Sequence, residues 1–349
     1  MISSRQERGF VPMSAYPIDI VVPWVDGSDP AWQAQRAQYR PVIRSDNSDA
    51  RFREWGLFQY WFRSIEKYAP WVRTVHLVTW GHLPPWLNTD HPKLHIVNHK
   101  DYIPAEYLPT FSSHAIELNM HRIDGLAEHF IYFNDDVYLS NPTRPEDFFV
   151  DGLPTDAAIM GQVTNSDTFS FMPYIQLNML GCINQTFSKR AVIRRDAAKW
   201  FHPKYGRFLL NNLYLLPGKN LAGIRNFHTC VPFCKSTLEE VWAAFPQELD
   251  HTCRNRLRSR EDVCQYLFRY WRLMKGEFVP TRPNSRYLTL GVDSAEAIER
   301  ALSAADHKVV CVNDDPMDGD PAQEQRRMAE IFRRKFPQRS DFETAGNAL

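Results

Sequence analysis

Four apolar, β-branched-rich runs in the first 140 residues constrain the fold more than any other feature of the chain. They are Ile18–Val25 (IDIVVPWV), Val72–Thr79 (VRTVHLVT), Leu94–Val97 and Phe130–Phe133. Each has strand length, and three end at a turn signal: Asp26-Gly27-Ser28-Asp29-Pro30, Trp80-Gly81, and Asn134-Asp135-Asp136. The intervening stretches are long enough for crossovers. From Glu54 to Tyr68, Trp55, Phe58, Phe62 and Ile65 fall at helical spacing. Ser112 or Ser113 can cap a second helix through Ala115, Ile116, Leu118 and Met120, with Glu117 early in it and Gly125 near its end. Strands alternating with helices predict an α/β domain with a mixed, largely parallel sheet. Ligands of such sheets bind beyond the carboxyl ends of the strands.

The rest of the chain is less regular. Residues 150–227 are rich in Asn, Phe and Pro and read as an insertion that covers the sheet. Residues 236–275 read as helical, with Trp242, Phe245, Leu257, Val263, Leu267, Tyr270, Trp271 and Leu273 as apolar anchors. Val309–Val312 reads as a late strand returning to the sheet. Residues 321–336 form a basic amphipathic helix, read either as packed on the domain or as a peripheral contact with anionic lipid. The expected organisation is a loose lead-in (1–16), an α/β part (17–149), the insertion (150–227), a completing segment (228–320) and the C-terminal helix and tail (321–349), in one domain.

With 41 basic and 41 acidic residues the chain has no formal net charge, which gives no bulk attraction to nucleic acid. No stretch approaches the roughly 20 apolar residues of a membrane span. The six cysteines are scattered without paired spacing. Cys230, Cys234 and Cys253 with His228 could supply zinc ligands, although structural zinc sites use tighter pairs and buried thiols are the plainer reading. A reducing, cytoplasmic setting is expected. Neither GxxxxGK[ST] nor GxGxxG occurs, so P-loop and Rossmann dinucleotide chemistries lose support.

The chemistry should lie where apolar runs end in acids. Asn134-Asp135-Asp136 interrupts the apolar segment FIYFNDDVYL, and Lys308–Val312 runs into a second triplet, Asn313-Asp314-Asp315. Adjacent carboxylates repel; a hard divalent cation such as Mg2+ or Mn2+ relieves that repulsion. Acidic turns capping local amides are the alternative for both triplets. Trp24, Asp26 and Gly27 follow the first strand, where Trp could stack on a base and Asp could bind a ribose; a core Trp and an Asx turn explain them equally well. His228 stands alone in NFHTCVP. Arg254, Arg256, Arg258 and Arg260 alternate ahead of Glu261-Asp262, either as a solvated helix face or as an anion clamp.

Taken together these segments resemble the Stealth family, the sugar-1-phosphate transferases of bacterial capsule and exopolysaccharide synthesis that also include the animal lysosomal-enzyme N-acetylglucosamine-1-phosphotransferase. The matching stretches are IDIVVPWVDGSDP (18–30), Arg51–Leu139 with RFREWG, LPTFSSHAIE and FIYFNDDVYL, His228 to about Gly276 with RLRSREDV, and Cys311–Asp315. The chain departs from the commoner pattern at Val22-Pro23 and at Asn255-Arg256-Leu257-Arg258. The resemblance implies a fold related to GT-A nucleotide-sugar transferases. It also implies transfer of a hexose- or N-acetylhexosamine-1-phosphate from a UDP-sugar to a sugar hydroxyl, with UMP released; a metal-dependent glycosyltransferase releasing UDP is the alternative. Carried onto this sequence, it makes His228 the base, Arg258 with Arg53 the phosphoryl-stabilising groups, and Asp135, Asp136, Asp314 and Asp315 the candidate metal ligands. Asn134 and Asn313 would orient the carboxylates or the phosphates, Trp24, Asp26 and Gly27 would line the nucleotide end, and Asp262 would bind the nucleotide sugar or hold Arg258.

Overall fold

The computed structural model describes residues 15–39, 47, 52–165, 167, 169–314 and 320–344. Among them lie eleven strands: β1 (Ile18–Pro23), β2 (Val75–Thr79), β3 (Leu94–Asn98), β4 (His129–Tyr132), β5 (Val137–Leu139), β6 (Phe149–Val150), β7 (Leu153–Asp156), β8 (Val231–Cys234), β9 (Val279–Pro280), β10 (Ser285–Thr289) and β11 (Val309–Asn313). The main sheet runs β3-β2-β1-β4-β8. Its first four strands are parallel and β8 is antiparallel to β4. The α/β expectation, mixed and largely parallel, is met.

Strand order explains where a site can form. The chain builds outward from β1 to β2 and β3, then returns to place β4 on the other flank of β1. The crevice at the carboxyl ends of β1 and β4 is therefore the switch point of the sheet. Side chains alternate along β1: Ile18, Ile20 and Val22 enter one core, with Trp61 and Phe332, while Val21 enters the other, with Leu238 and Phe268. Residues 150–227 contribute Ile175, Met179, Trp200 and Tyr205 to the second of these cores.

Four details differ from the sequence reading. The helix expected from Glu54 begins at Phe58. Gly56 has φ +69°, a conformation outside the helical region, and its N–H is taken by the Glu54 carboxylate. The helical stretch expected at 236–275 is three helices, Lys235–Ala244, Pro246–Arg254 and Tyr266–Lys275. The loop between the last two carries Arg256, Arg258 and Arg260, so the arginines do not form a helix face. β11 does not rejoin the main sheet; it pairs with β10 and with β5 in a second sheet. Finally, the Pro321–Lys335 helix buries Met328, Ile331 and Phe332, with Phe332 against Tyr60 and Tyr138. Its apolar face is thus core rather than lipid-facing.

Candidate active site

Two antiparallel pairings assemble the site. β4 ends in Asn134-Asp135-Asp136, and the chain continues as β5, which pairs antiparallel with β11 in the register Cys311↔Val137. The end of β11 therefore meets the start of β5, and Val312 N–H donates to the Asp136 carbonyl at 2.9 Å. The second triplet is thereby delivered to the first from 177 positions away, although its last member, Asp315, lies outside the described residues. On the other flank, β8 pairs antiparallel with β4, Val231 opposite Tyr132. This sets His228, just ahead of β8, beside Asn134, which follows β4.

A cavity of about 280 Å3 opens at this point. Of the expected site residues, Trp24, Arg53, Asn134, Asp135, Asp136, His228, Arg258, Asn313 and Asp314 all line it. His228 Nε2 lies 3.3 Å from Asn134 Nδ2 and 3.6 Å from Asp136 Oδ2. Arg53 Nη1 lies 3.6 Å from Asp314 Oδ2, which also accepts from Trp55 Nε1 at 2.8 Å. Arg258 is fixed on two sides. Its Nη2 donates to Ser113 Oγ at 2.9 Å, and its backbone N–H and carbonyl are bridged by the Asn47 amide at 3.0 Å each. Trp24 is buried and stacks on Phe58 with ring centroids 5.7 Å apart.

Three expected residues stand back from the cavity. Asp26 closes an Asx turn, accepting from Ser28 N at 2.8 Å and Ser28 Oγ at 2.6 Å. Gly27 packs on the Phe52 backbone so closely that an added Cβ would sit 1.8 Å from the Phe52 carbonyl oxygen, so it serves close approach. Asp262 is fully buried and organises the arginine loop, accepting from Asn255 Nδ2 at 2.7 Å and Ser259 N at 2.9 Å, with His114 Nδ1 at 2.9 Å. These contacts place it behind Arg258 through the backbone, with none to the guanidinium among its hydrogen bonds.

Glu54 and Glu117 also line the cavity and were not singled out from sequence. Glu54 belongs to RFREWG, and Glu117 was read only as a helix-start acid. Five acids (Glu54, Glu117, Asp135, Asp136, Asp314) therefore face two guanidinia (Arg53, Arg258) among the lining side chains. The imbalance is visible in the acids themselves. Desolvation by the cavity walls, then Asp136 and Glu54, push Asp135 up to about 7, although its side chain keeps an exposed face. Burial likewise raises Glu54. Asp136 Oδ1 and Glu117 Oε2 are buried without a hydrogen-bond partner among the described residues.

Such a donor set fits a hard divalent cation. Asp136 Oδ2, His228 Nε2 and Cys311 Sγ lie within 4.8 Å of one another. Burial, and then the Asp136 charge, raise the Cys311 thiol above its ordinary range, and Sγ–H donates to Asp136 Oδ2 at 3.4 Å. The thiols considered for zinc do not gather, since Cys230 packs in the core containing Val22 and Cys253 in the core containing Val21, on opposite faces of the sheet.

Three conserved-region models of the Stealth family match the chain: conserved region 1 over residues 16–41, region 2 over 51–156 and region 3 over 227–270. The capsular polysaccharide phosphotransferase WcwK of Streptococcus pneumoniae is 39% identical over 332 residues, covering 93% of this chain and 98% of that protein. The exopolysaccharide phosphotransferase cps2G of Lactiplantibacillus plantarum is 37% identical over 342 residues, covering 96% and 99%. Among solved structures, the galactosyltransferase LgtC in complex with donor and acceptor sugar analogs aligns with 90% of this chain and 95% of that one, at 10% identity and a TM-score of 0.39. With regions 1 to 3 in order and relatives matched along almost their whole length, the chain belongs to the Stealth family.

Proposed function

We propose that this protein is a sugar-1-phosphate transferase of capsular or cell-surface polysaccharide synthesis, acting on a UDP-hexose or UDP-N-acetylhexosamine and an acceptor saccharide. The observation that carries the reading is the convergence of both Asn-Asp-Asp turns, His228 and Arg258 on one cavity at the β1/β4 switch point. The names of its relatives as polysaccharide phosphotransferases support the reaction class.

Phosphoryl transfer asks for alignment and charge neutralisation more than covalent help from the protein. In this reading the acceptor oxygen bonds to the β-phosphorus, the bond from that phosphorus to the bridging oxygen breaks, and UMP leaves with the bridging oxygen. His228 Nε2 takes the hydroxyl proton; its half-exposed ring can meet an acceptor from solvent. Arg258, pinned by Ser113 and Asn47, offers a preorganised guanidinium to the transferring phosphoryl group. Arg53 and Trp55 both bind the Asp314 carboxylate. Asp136 and Asp135 would hold Mg2+ or Mn2+, which supplies neutralisation of the diphosphate when bound. Asn134 Nδ2 faces the same Nε2 at 3.3 Å, and the acceptor hydroxyl would displace it to reach the ring's lone pair.

Incubation with UDP-N-acetylglucosamine or related donors, an oligosaccharide acceptor and Mg2+ or Mn2+ tests the proposal by separation of UMP from UDP. UMP formed in step with a phosphodiester product is the expected result. UDP formed in step with product would replace this reading with glycosyl transfer at the anomeric carbon.

A further inference from the structure

The Leu209–Leu215 helix is docked in reverse. Its polar residue points in: Asn212 is fully buried, accepts from Met160 N at 2.6 Å and donates to Ala158 O at 2.8 Å and Trp200 O at 2.5 Å. Its apolar residues point out: Leu210, Leu213 and Tyr214, at i, i+3 and i+4, are 67%, 55% and 77% exposed, and Leu216 follows at 41%. The carboxyl end is fastened as well, because buried Lys189 donates to Leu215 O at 2.8 Å. A helix held by polar bonds with its leucines in solvent is a built apolar surface.

The charge around it is one-sided. Residues 168–238 hold ten Lys and Arg and one acid, Asp196, in a chain balanced overall at 41 against 41. Arg195 already pairs with that acid at 2.6 Å. Arg190, Arg194, Lys204, Arg207, Lys219 and Arg225 are exposed. An apolar patch with exposed Arg207 just before the helix, Lys219 just after it and Arg225 over Phe208 is complementary to an anionic bilayer, and its charge repels a second copy of itself. The patch also adjoins the active site. Phe208, which starts the helix, packs on Phe227 with centroids 6.2 Å apart, and Arg225 lies over both rings. Phe227 precedes His228. Among the described residues no helix is long and apolar enough to cross a membrane, so the contact would be peripheral.

We infer that the Leu209–Leu216 face docks this protein on an anionic lipid surface, with the His228 loop close to the bilayer. Docking requires no turnover, so it stands or falls separately from the reaction proposed above. Co-sedimentation with phosphatidylcholine vesicles, with and without phosphatidylglycerol, tests it. The full chain should bind only the anionic vesicles, less as salt rises. Leu210→Glu/Leu213→Glu should abolish binding while leaving turnover of a soluble acceptor and the circular dichroism unchanged. Arg207→Glu/Lys219→Glu should weaken it about 25-fold or more, since each charge near an anionic surface contributes roughly fivefold. Arg326→Glu/Arg333→Glu, on the C-terminal helix, should bind as the parent does. Absence of binding to anionic vesicles, or binding unchanged in the leucine variant, overturns the inference. So does a dimer in light scattering that the leucine variant dissolves, because a second copy would then cover the face.

Discussion

Replacing Asp156 by Asn should destabilise the protein more than most single changes, and the structure gives the reason. Asp156, Arg269 and Arg272 are 5%, 4% and 1% exposed. Arg269 Nε lies 3.0 Å from both carboxylate oxygens and Nη2 lies 2.9 Å from Oδ1; Arg272 Nη2 takes Oδ2. Ala157 N–H donates to Oδ1 at 2.6 Å. Burial alone would raise the Asp156 pKa, but Arg269 and Arg272 outweigh it and hold the carboxyl below 3.8. One carboxylate therefore neutralises two buried guanidinia, and Asp156→Asn leaves both uncompensated. Breaking a buried pair costs about 3–5 kcal/mol, and two orphaned charges place the loss at the upper end, near 5 kcal/mol. At roughly 2 °C per kcal/mol for a chain of this size, Tm should fall by about 10 °C. The site should suffer too, since Arg269 also donates to Arg225 O at 3.2 Å and Asn226 Oδ1 at 2.8 Å, three and two residues before His228. Urea unfolding followed by tryptophan fluorescence gives the loss directly. Asp156→Asn/Arg272→Met should recover part of it by removing one orphan. A single variant within about 1 kcal/mol of the parent would refute the argument, because it would mean that the guanidinia do not depend on this carboxylate.

The remaining predictions concern the cavity and acid stability. His228→Ala should fold normally and lose about 10²–10⁴-fold in turnover; near-parental kcat removes His228 from the role of base. Arg258→Ala should lower kcat about 10²–10³-fold, whereas Ser113→Ala, which only frees the guanidinium, should lose far less; equal losses would show that Ser113 acts on substrate itself. His99 and His121 are buried and pushed down from 6.5 to about 4, by desolvation first and then by His82 for the one and Arg122 for the other. Because their folded pKa values are depressed, the unfolded chain binds more protons. Stability is full above pH 6.5 and falls toward pH 4, by up to about 3 kcal/mol per histidine. Urea midpoints measured across that window should fall, and His99→Leu should remove its share of the slope; an unchanged slope excludes His99.

Much of the fold was legible because the strands of the main sheet are short, apolar and bounded by turn residues. β1 to β4 were all readable, with boundaries shifted by a few residues. The misses share a cause. β8 begins with Val231-Pro232, and a proline at an edge strand gives a weak local signal. β10, SRYLT, alternates polar and apolar residues too briefly to be distinguished from a loop. The arginine loop resembled a helix face because nothing in the sequence reveals that buried Asp262 will bind Asn255 and the Ser259 amide. Asp26 and Gly27 sat in the right stretch, yet their roles are turn closure and close approach, which only the position of Phe52 decides.

The two Asn-Asp-Asp triplets show where sequence reasoning stops and geometry adds something. Their similarity was visible, but not that an antiparallel β5–β11 pair would bring them together, nor that they would be held so differently. Asp314 is engaged by Trp55 Nε1 and by Arg53, a donor and a cation of the same chain. Among the described residues Asp136 meets no guanidinium at hydrogen-bond distance. Its Oδ2 has the Cys311 thiol and His228 nearby, its Oδ1 is buried without a partner among those residues, and its charge helps to raise Asp135. A buried carboxylate in that state is costly unless a cation compensates it. On the proposed function the similar triplets would divide the work: Asp136, with Asp135, would hold the metal, while Asp314 would set the position of Arg53. On this division Asp136→Asn should weaken Mn2+ binding in calorimetry far more than Asp314→Asn. Equal losses would mean that both turns ligate the ion.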